Sequence, residues 1–498
     1  MEIVATHVPT PGRNPAEELQ RPPAGATTVE LRADLLGAGC DLAALVSACP
    51  RPVIVTLRSR AEGGHGPDEP DERRHFFESA AALHAALFDL EAARDRDLIG
   101  RVVPTDRVIL SAHFPAGVPG DLEGRAAGML ASGARFVKLV PTATSLADVV
   151  AVLRLAQALD RGNRSARRAV VLAAGDAGRA TRLLSPLLGA PLAYVAWDSG
   201  RPGAAGQYTA QEMLSLIGHL EGRPRRLYAV VGSPVGGSLS PRLHAAAYRA
   251  LGLPNAFVPL EVGAEPELAE LLRPAGESCL DAVGLPVGGF AVTMPWKPAA
   301  SRLCTVLAPR AQRAEVVNTV LPRVGKVLGD CTDIDGITRV LAEEGLDLAG
   351  SFALVLGAGG AAHAAAVALA LTGARVGMAA RDPARARAAA ERLGAVVAEV
   401  GASERAAVVI NATPAGAAGD PSTWLEALRL PPGGVVVDLP YGPAPTFLEQ
   451  LAERRGWRFV SGREVLLYQA VSQFAAMTGV APPVRAMAGA LGLEETQG

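Results

Sequence analysis

Short β-branched runs alternate with Ala- and Leu-rich amphipathic stretches throughout the first 221 residues of the chain. This alternation is typical of repeated β/α units, which assemble into parallel sheets. Eight strands are predicted, at Glu2–Thr6, Thr27–Asp34, Pro52–Arg58, Ala85–Glu91, Arg107–Phe114, Arg135–Thr142, Arg168–Ala174 and Pro191–Trp197. A helix at Ala210–Leu220 is predicted to follow them. Eight strands favour a closed (β/α)8 TIM barrel, although the pattern alone also allows a doubly wound open sheet.

A second α/β region begins after Glu221–Arg226, where charged residues, a glycine and a proline predict a linker. The sequence LYAVVGSP opens this region. FALVLGAGGAAHAAAVALAL then predicts a buried strand, a glycine turn and a helix, as in a Rossmann nucleotide-binding domain. Further strands are predicted at Arg375–Arg381, Ala407–Asn411 and Gly434–Asp438.

The length of 498 residues far exceeds the usual domain of about 100 to 200, so several α/β domains are expected. We predict a barrel over residues 1–221, a substrate-binding domain over 225–350 and a Rossmann domain over 351–464. The helices from about Val465 are expected to fold back on the substrate-binding domain and complete it with residues 465–498.

Composition narrows the class of partner to small molecules. The 48 Lys and Arg residues nearly balance the 50 Asp and Glu residues, and no basic stretch has interleaved aromatics, so nucleic acid is not expected. Five scattered cysteines without CxxC pairing argue against disulfides and a metal site, and fit a reducing cytoplasm. No signal-peptide pattern or run of about 18 uncharged apolar residues indicates a membrane segment. The oligomeric state stays open.

Polar residues cluster at the carboxyl ends of the predicted barrel strands, where β/α barrels carry their reactive groups. These residues are Glu30, Arg32, Arg58, Glu91, His113 and Lys138. Lys138 is flanked by Phe136, Val137, Leu139 and Val140, and desolvation there would lower the pKa of its amine towards a nucleophilic neutral form. Such an amine can form a Schiff base with a ketone. His113 on the preceding strand would move protons, and Glu91 would orient it.

The motifs ELRAD, TLR followed by EGG (Glu62–Gly64), FDLE, SAH, VKLVP and a late GQ resemble type I 3-dehydroquinate dehydratase over almost the whole barrel. The resemblance implies that Lys138 forms an imine with the substrate ketone, that His113 removes the proton and that Glu91 supports His113. It also implies substrate-binding residues, namely Glu30, Arg32, Arg58, Arg182 and Gln207.

The chain departs from the dehydratase pattern at Gly203, where the family has a substrate-binding serine, and at Phe114, where the family has Asp after the histidine. Loss of one hydroxyl is expected to weaken binding before it abolishes chemistry. The alternative for this half is a barrel that has lost activity and serves as a scaffold.

GAGGAA (Gly357–Ala362) follows an apolar strand and opens a helix, which fits the turn that binds a dinucleotide pyrophosphate. The backbone of Gly357, Ala358, Gly359, Gly360 and Ala361 is the predicted cradle. Upstream, GSPVGGSLSP places Ser238 and Ser240 before a helix, where they can hold a carboxylate or simply cap the helix. Lys297 and Asp333 lie in two separate turns, and together could relay a proton in hydride transfer.

These motifs together resemble shikimate dehydrogenase from Leu227 to Pro483. The resemblance implies that the substrate is surrounded by Ser238, Ser240, Thr293, Asn318, Asp333, Tyr441 and Gln469. It implies proton transfer by Lys297 with Asp333, and a dinucleotide bracketed by the glycine turn and NATPAG, which contains Asn411 and Thr413. Three departures from the family are Ala291, Ala245 and Cys331, each where an asparagine is usual.

The second nucleotide strand decides the cofactor, because NADP needs a cation for its 2′-phosphate and NAD usually meets an acid. The chain reads AARDP, with Arg381 where the family reads the phosphate and Asp382 where it has threonine. Arg381 can pair with the phosphate while Asp382 caps the next helix, so NADP is favoured.

The two resemblances describe consecutive steps: dehydration of 3-dehydroquinate to 3-dehydroshikimate, then NADPH-dependent reduction to shikimate. One alternative is an NAD-dependent quinate/shikimate dehydrogenase fused to an inactive, ligand-binding barrel. Another is a regulatory protein that senses such ligands, against which Lys138, Lys297 and Asp333 argue.

Overall fold

The structure is a computed structural model that describes residues 2–37, 40–83, 87–162, 167–415 and 423–493. The chain divides into two compact units. The first comprises Met1–Arg226, Pro254–Gly263 and Cys279–Pro286, and the second comprises Leu227–Leu253, Ala264–Ser278 and Val287–Gly498.

Eight parallel strands form the sheet of the first unit. They are β1 (Glu2–His7), β2 (Thr28–Arg32), β3 (Val53–Thr56), β4 (Leu87–Glu91), β5 (Val108–Phe114), β6 (Phe136–Pro141), β7 (Ala169–Val171) and β8 (Leu192–Ala196). Their order is β7-β6-β5-β4-β3-β2-β1-β8, so each strand lies beside its neighbour in sequence and β8 pairs with β1. This order confirms the barrel over the doubly wound sheet. The ring is closed except between β7 and β8, which no ladder joins among the described residues. Residues 85 and 86 of the predicted fourth strand lie outside the described residues.

Helices lie between these strands and after the last one. They are α1 (Pro15–Leu19), α2 (Leu42–Ala48), α3 (Pro70–Ala80), α4 (Leu122–Leu130), α5 (Leu146–Gly162), α6 (Thr181–Leu187) and α7 (Ala210–Ile217).

The barrel interior changes from apolar to polar along each strand. Side chains of a strand alternate between its two faces, so residues two apart share a face. The apolar interior contains Val4, Ile54, Leu87 and Ile109. Two residues further along the same strands stand Thr6, Thr56, Asp89 and Ser111, all buried. The packed core therefore ends in a polar layer at the carboxyl ends of the strands.

The next sheet along the chain is mixed and has the order β10-β9-β11-β13-β14-β12. Its strands are β9 (Arg226–Gly232), β10 (Asn255–Glu261), β11 (Val287–Val292), β12 (Val306–Leu307), β13 (Thr319–Arg323) and β14 (Lys326–Asp330). The accompanying helices are α8 (Ser240–Ala250), α9 (Glu265–Leu271), α10 (Lys297–Leu303), α11 (Pro309–Ala314) and α12 (Asp333–Glu343).

A second, fully parallel sheet follows in the order β17-β16-β15-β18-β19-β20. Its strands are β15 (Phe352–Leu356), β16 (Arg375–Ala379), β17 (Val396–Val397), β18 (Val408–Asn411), β19 (Val435–Asp438) and β20 (Arg458–Ser461). The helices are α13 (Gly360–Leu371), α14 (Pro383–Leu393), α15 (Phe447–Arg455), α16 (Gly462–Thr478) and α17 (Val484–Ala490). The strand order reverses between β15 and β18, the point where such sheets bind nucleotides.

Helix α16 leaves this nucleotide sheet and packs against the preceding substrate sheet. Its Gln473 donates to the Asn318 carbonyl at 3.2 Å, and Phe474 packs on Tyr248 with ring centroids 5.6 Å apart. Residues 494–498, the end of the predicted C-terminal segment, lie outside the described residues. Among the helices that the structure describes, none is long and apolar enough to cross a membrane.

Candidate active sites

A cavity of about 180 Å³ opens at the carboxyl ends of the barrel strands. Seven residues predicted from the sequence line it: Glu30, Arg32, Arg58, His113, Lys138, Arg182 and Gln207. Residues distant in sequence meet here because all eight strands end at the same face. Glu91, which was also predicted, does not line the cavity.

Lys138 lies on β6 with its side chain only 4% exposed. Its Nζ atom is 2.6 Å from Asp89 Oδ2, 3.6 Å from Glu30 Oε1 and 4.3 Å from the centre of the Tyr194 ring. The sequence predicted apolar surroundings from the residues that flank the lysine. Val137 and Leu139 point to the other face of the strand, whereas Phe136 and Val140 share the face of Lys138. The charged surroundings of the amine come from other strands and include two acids.

Asp89 is a site residue that the sequence did not predict, although it lies within the FDLE motif. It is completely buried, and its Oδ1 accepts hydrogen bonds from Arg58 Nη2 at 2.8 Å and Ser111 Oγ at 2.6 Å. Burial alone would raise the pKa of Asp89, but the positive charges of Arg58 and Lys138 lower it below its usual value. Asp89 is therefore an anion in contact with the Lys138 amine.

Glu62 is the acid that contacts His113. Its Oε2 lies 3.0 Å from His113 Nδ1 and accepts from the His113 backbone N–H at 2.9 Å. Burial raises the pKa of Glu62 to about 7. Burial, together with Arg58 and Lys138, also lowers the pKa of His113 well below its usual value. The imidazole is therefore neutral and held by Glu62.

This contact corrects the prediction that Glu91 orients His113. In the register of β4 and β5, Glu91 stands beside Ser111, two residues short of His113. Glu91 Oε1 instead accepts from Arg58 Nη1 and the Ser59 backbone N–H, both at 2.9 Å. Glu62 reaches the histidine because the loop after β3 passes over the cavity. The sequence feature that could have indicated a role for Glu62 is its position four residues after Arg58.

The arginines of the cavity differ in how many of their N–H donors are already hydrogen-bonded to other protein groups. Arg58 donates to Glu62, Asp89, Glu91 and Ser111. Arg32 is held in a two-bond pair by Asp34. Arg182 donates to the Ala205 carbonyl at 3.1 Å, and its Nε has no partner among the described residues. Burial lowers the pKa of Arg182 to about 10. An uncompensated buried guanidinium of this kind fits a substrate carboxylate.

Gly203 lies too close to β1 to carry a side chain. A Cβ built there would be 2.5 Å from Thr6 Cγ2 and 3.1 Å from Thr6 Cβ. The Thr6 hydroxyl donates to Glu30 Oε2 at 2.7 Å and accepts from Gln207 Nε2 at 3.3 Å. The departure from the family serine is therefore matched by a hydroxyl on the neighbouring strand.

A second cavity, of about 200 Å³, lies in the second unit. It contains every residue predicted around the reductase substrate: Ser238, Ser240, Thr293, Lys297, Asn318, Asp333, Tyr441 and Gln469. Lys297 Nζ lies 2.5 Å from Asp333 Oδ2. Burial would lower the pKa of Lys297, but Asp333 raises it above its usual value. The lysine is thus a charged proton donor.

The amide of Asn318 aligns Asp333. Its Nδ2 donates to Asp333 Oδ1 at 2.9 Å and to Gln469 Oε1 at 3.1 Å. Its Oδ1 accepts from the Thr332 backbone N–H at 2.7 Å. Each oxygen of Asp333 therefore faces a different donor, one amide and one ammonium.

Helices α8 and α16 carry His244 and Gln473, which hold the segment around Asn318 in place. Gln473 Nε2 donates to Thr319 Oγ1 at 2.9 Å, so its Oε1 faces His244 Nε2 at 3.3 Å. Burial lowers the pKa of His244 to about 3, so its ring is neutral and donates to Gln473. His244 and Gln473 were not predicted as site residues.

The loop before α8 faces the cavity with two hydroxyls. Ser238 Oγ accepts from the Ser240 backbone N–H at 3.3 Å, so part of its role is to hold the loop before α8. Tyr441 also bonds to Ser238, and burial raises the pKa of Tyr441. Among the three departures, Ala291 lines the cavity, while Ala245 and Cys331 are buried.

The glycine turn joins β15 to α13 in the predicted way. Gly357 has φ of +121°, and a Cβ there would lie 3.0 Å from the Ala412 carbonyl. Gly359 is the N-cap of α13, and a Cβ at this position would meet nothing within 4 Å. The open, positive end of a helix fits a pyrophosphate. Ala358 lies in the turn, and Gly360 and Ala361 are the first two residues of α13.

Arg381 is exposed after β16, and Asp382 caps α14. The Asp382 carboxylate accepts from the backbone N–H groups of Ala384 at 2.9 Å and Arg385 at 3.4 Å. Asp382 is thus engaged in capping, as predicted.

Asn411 and Thr413 build the loop with their side chains. Buried Asn411 donates to Asp438 Oδ1 at 2.7 Å and to the Ala415 carbonyl at 3.1 Å, and Thr413 donates to Asn411 Oδ1 at 2.7 Å. Their contribution to a dinucleotide site is to shape the backbone beside the glycine turn. Gly416, at the end of the NATPAG motif, lies outside the described residues.

The two sites define a class of protein, a lysine-centred β/α barrel joined to a Rossmann-type reductase. Family models match as type I 3-dehydroquinase at residues 8–223, shikimate dehydrogenase substrate binding domain at 230–320 and shikimate 5′-dehydrogenase C-terminal domain at 462–491. The chain is 30% identical over 491 residues to the chloroplastic bifunctional 3-dehydroquinate dehydratase/shikimate dehydrogenase of Arabidopsis thaliana, covering 92% of this chain and 79% of that protein. It therefore belongs to the bifunctional 3-dehydroquinate dehydratase/shikimate dehydrogenase family.

The second half has separate relatives. A shikimate dehydrogenase (NADP(+)) of Rubrobacter xylanophilus is 42% identical over 278 residues, covering 53% of this chain and 95% of that protein. A crystal structure of Thermus thermophilus shikimate 5-dehydrogenase with NADP(H) and shikimate is 34% identical, covers 53% of this chain and 98% of that one, and has a TM-score of 0.47.

Proposed function

We propose that the chain catalyses two consecutive reactions, the dehydration of 3-dehydroquinate to 3-dehydroshikimate and the NADPH-dependent reduction of that ketone to shikimate. The observation that carries this proposal is the presence of two separate lysine sites in one chain of this family. One lysine, Lys138, is buried at the mouth of a barrel, and the other, Lys297, is paired with a carboxylate. Family membership links them to successive steps.

In the barrel, Lys138 attacks the substrate ketone and forms an imine, which acidifies the neighbouring carbon. His113, neutral and oriented by Glu62, takes up the proton from that carbon and returns it to the departing hydroxyl as water. Arg182 binds the carboxylate through its Nε–H, which has no hydrogen-bond partner among the described residues. Glu30 and Gln207 receive the ring hydroxyls. Arg58 acts on the substrate indirectly, by holding Glu62 and Asp89.

In the second site, Ser238, Ser240 and Tyr441 bind the substrate carboxylate. Lys297 donates a proton to the ketone oxygen as it gains negative charge, and Asp333 keeps the lysine charged and aimed. Asn318, Thr293 and Gln469 hold the hydroxyls. NADPH supplies the hydride. Gly357–Ala361 would hold its pyrophosphate, the loop shaped by Asn411 and Thr413 would lie beside it, and Arg381 would hold the 2′-phosphate.

The setting that we propose is a reducing cytoplasm. The five cysteines, none of them in a disulfide, support this proposal. The Arabidopsis relative is described as chloroplastic, so fractionation of the source cells is the direct test.

Separate assays of the two half-reactions test the function. Purified chain should convert 3-dehydroquinate to the conjugated ketone without NADPH, and should oxidise NADPH when given 3-dehydroshikimate. Lys138→Ala should eliminate only the first reaction, and Lys297→Ala should suppress only the second. Borohydride added with 3-dehydroquinate should leave a stable adduct on Lys138. A chain with reductase activity alone, and no adduct, would support the alternative with an inactive barrel.

A further inference from the structure

Asp89 is the acid closest to the reacting amine. Its Oδ1 is occupied by Arg58 and Ser111, while its Oδ2 faces Lys138 Nζ at 2.6 Å. Glu30 lies further away at 3.6 Å, and hydroxyls bind both of its oxygens, from Thr6 at 2.7 Å and from Thr56 at 2.9 Å. The geometry thus gives Lys138 one dedicated anionic partner.

We propose that Asp89 is a further catalytic residue of the barrel, whose carboxylate holds the positive charge on the Lys138 nitrogen first as ammonium and then as iminium. This inference rests on the proposed imine chemistry. The ammonium first gives one proton to the neutral His113, which frees the nitrogen lone pair to bond to the ketone carbon. The carbonyl oxygen then leaves as water with that proton and a second one from the nitrogen. The third proton and the positive charge stay on the iminium. The charge beside Asp89 is therefore the same before and after the step.

A protonated iminium withdraws electrons from the neighbouring carbon far better than a neutral imine does, so its proton must be kept. An opposite charge at this distance, in a buried site, favours the protonated form. Other ionisable groups line the same cavity, namely Glu30, Arg32, Arg58, Glu62, His113, Arg182 and Tyr194. Arg58 is positive and cannot replace Asp89, and Glu62 is turned towards His113.

The test is the pH dependence of dehydration in Asp89→Asn. Without the carboxylate the iminium loses its proton at lower pH. The alkaline limb of the profile, where kcat falls as the pH rises, should therefore shift to lower pH by about one to three units. The yield of borohydride adduct on Lys138 should fall over the same range. Asp89→Glu, which keeps the charge, should restore both to near the wild-type limb. A structural role alone would lower activity without moving the limb.

Asp95→Asn provides the matched control. Asp95 is buried a few residues later in a two-bond pair with Arg73, at 2.8 and 2.6 Å, and does not line the cavity. Its removal should lower thermal stability and leave the alkaline limb in place. If Asp95→Asn shifts the limb as far as Asp89→Asn does, the assignment is overturned.

A measurement on the wild-type chain does not depend on the folding of a variant. Substrate labelled with ¹³C at the ketone should give an NMR signal of a protonated iminium that persists to alkaline pH. A neutral imine at pH 7 would overturn the role of Asp89. If the wild-type chain forms no adduct at all, the proposed imine function fails. If it forms one and Asp89→Asn keeps the wild-type limb, only the role of Asp89 fails.

Discussion

The ionisable side chains of the barrel cavity set one another's charge. Arg58 is shared by Glu62, Asp89 and Glu91, so the arginine binds the acids in place more than it offers donors to a ligand. Glu62 is the member that burial brings into the physiological pH range, because burial raises its pKa to about 7. Protonation of this single residue therefore decides whether His113 has an anionic partner.

Dehydration should become faster as the pH rises through about 7, the value to which burial raises the pKa of Glu62. Below that pH the carboxyl is protonated and no longer accepts as an anion from His113, and above it the acceptor is restored. Glu62→Gln should remove this limb and lower kcat by about tenfold to a hundredfold, as expected for a lost charge-assisted hydrogen bond. Steady-state rates against pH for both chains provide the measurement. A variant that keeps the wild-type profile would assign the limb to another group.

Thr6 and Gly203 should behave as a coupled pair. Gly203→Ser should reduce kcat/KM for dehydration, because its Cβ would lie 2.5 Å from Thr6 Cγ2. Thr6→Ser removes that methyl and keeps the hydroxyl, so alone it should have little effect. Combined with Gly203→Ser it should recover activity, with a coupling energy of about 0.5 to 3 kcal/mol. A double-mutant cycle measures this, and strict additivity would contradict the pairing.

At the scale of elements, the N-termini of helices position several of the site residues. Helix α12 begins at Asp333, and α10 begins at Lys297, so the proposed proton relay joins two helix starts. Helix α16 brings Gln469 and Gln473 to them from the far end of the chain. At α14, the N-terminus is capped by Asp382, and the exposed cations beside it are Arg381 and Arg385.

Removal of Arg381 should change the choice of cofactor. Arg381→Ala should weaken NADPH binding by about tenfold to a hundredfold, the equivalent of one charge-assisted contact of about 1.5 to 3 kcal/mol, and barely alter NADH. The matched control is Arg387→Ala, an exposed arginine on α14 that should leave both affinities unchanged. Kinetics with both cofactors test this. A wild-type preference for NADH would instead give Asp382 the role of binding the ribose.

At the scale of the whole molecule, the chain contains separate hydrophobic cores. One fills the barrel around Val4, Ile54 and Ile109, and another underlies the nucleotide sheet around Leu354 and Val436. The product proposed for the first unit is the substrate proposed for the second.

We propose that the halves can be separated at the linker. Fragments 1–221 and 225–498 should each fold and retain their own reaction, because each has its own core and its own proposed ligand set. Circular dichroism and the two half-assays on the purified fragments check this. Insolubility of both fragments, beside an active full-length chain, would contradict it.

The sequence by itself was enough for features that are local. Period-two runs between amphipathic helices predict the barrel strands to within a few residues, and the glycine turn predicts the nucleotide-binding start of α13. Lys138, Lys297 and Asp333 stand out because each lies in a short motif whose residues are neighbours in the chain. Such signals need no knowledge of what lies across the sheet.

Only the tertiary structure decided which residues meet. Strand register places Glu91 beside Ser111 and two residues short of His113, and a loop brings Glu62 to the histidine instead. Strand ends also bring Asp89 to Lys138, although residues flanking the lysine predicted an apolar site. These contacts depend on closure of the sheet and on loop paths, because side chains that face each other across strands share no local pattern in the sequence.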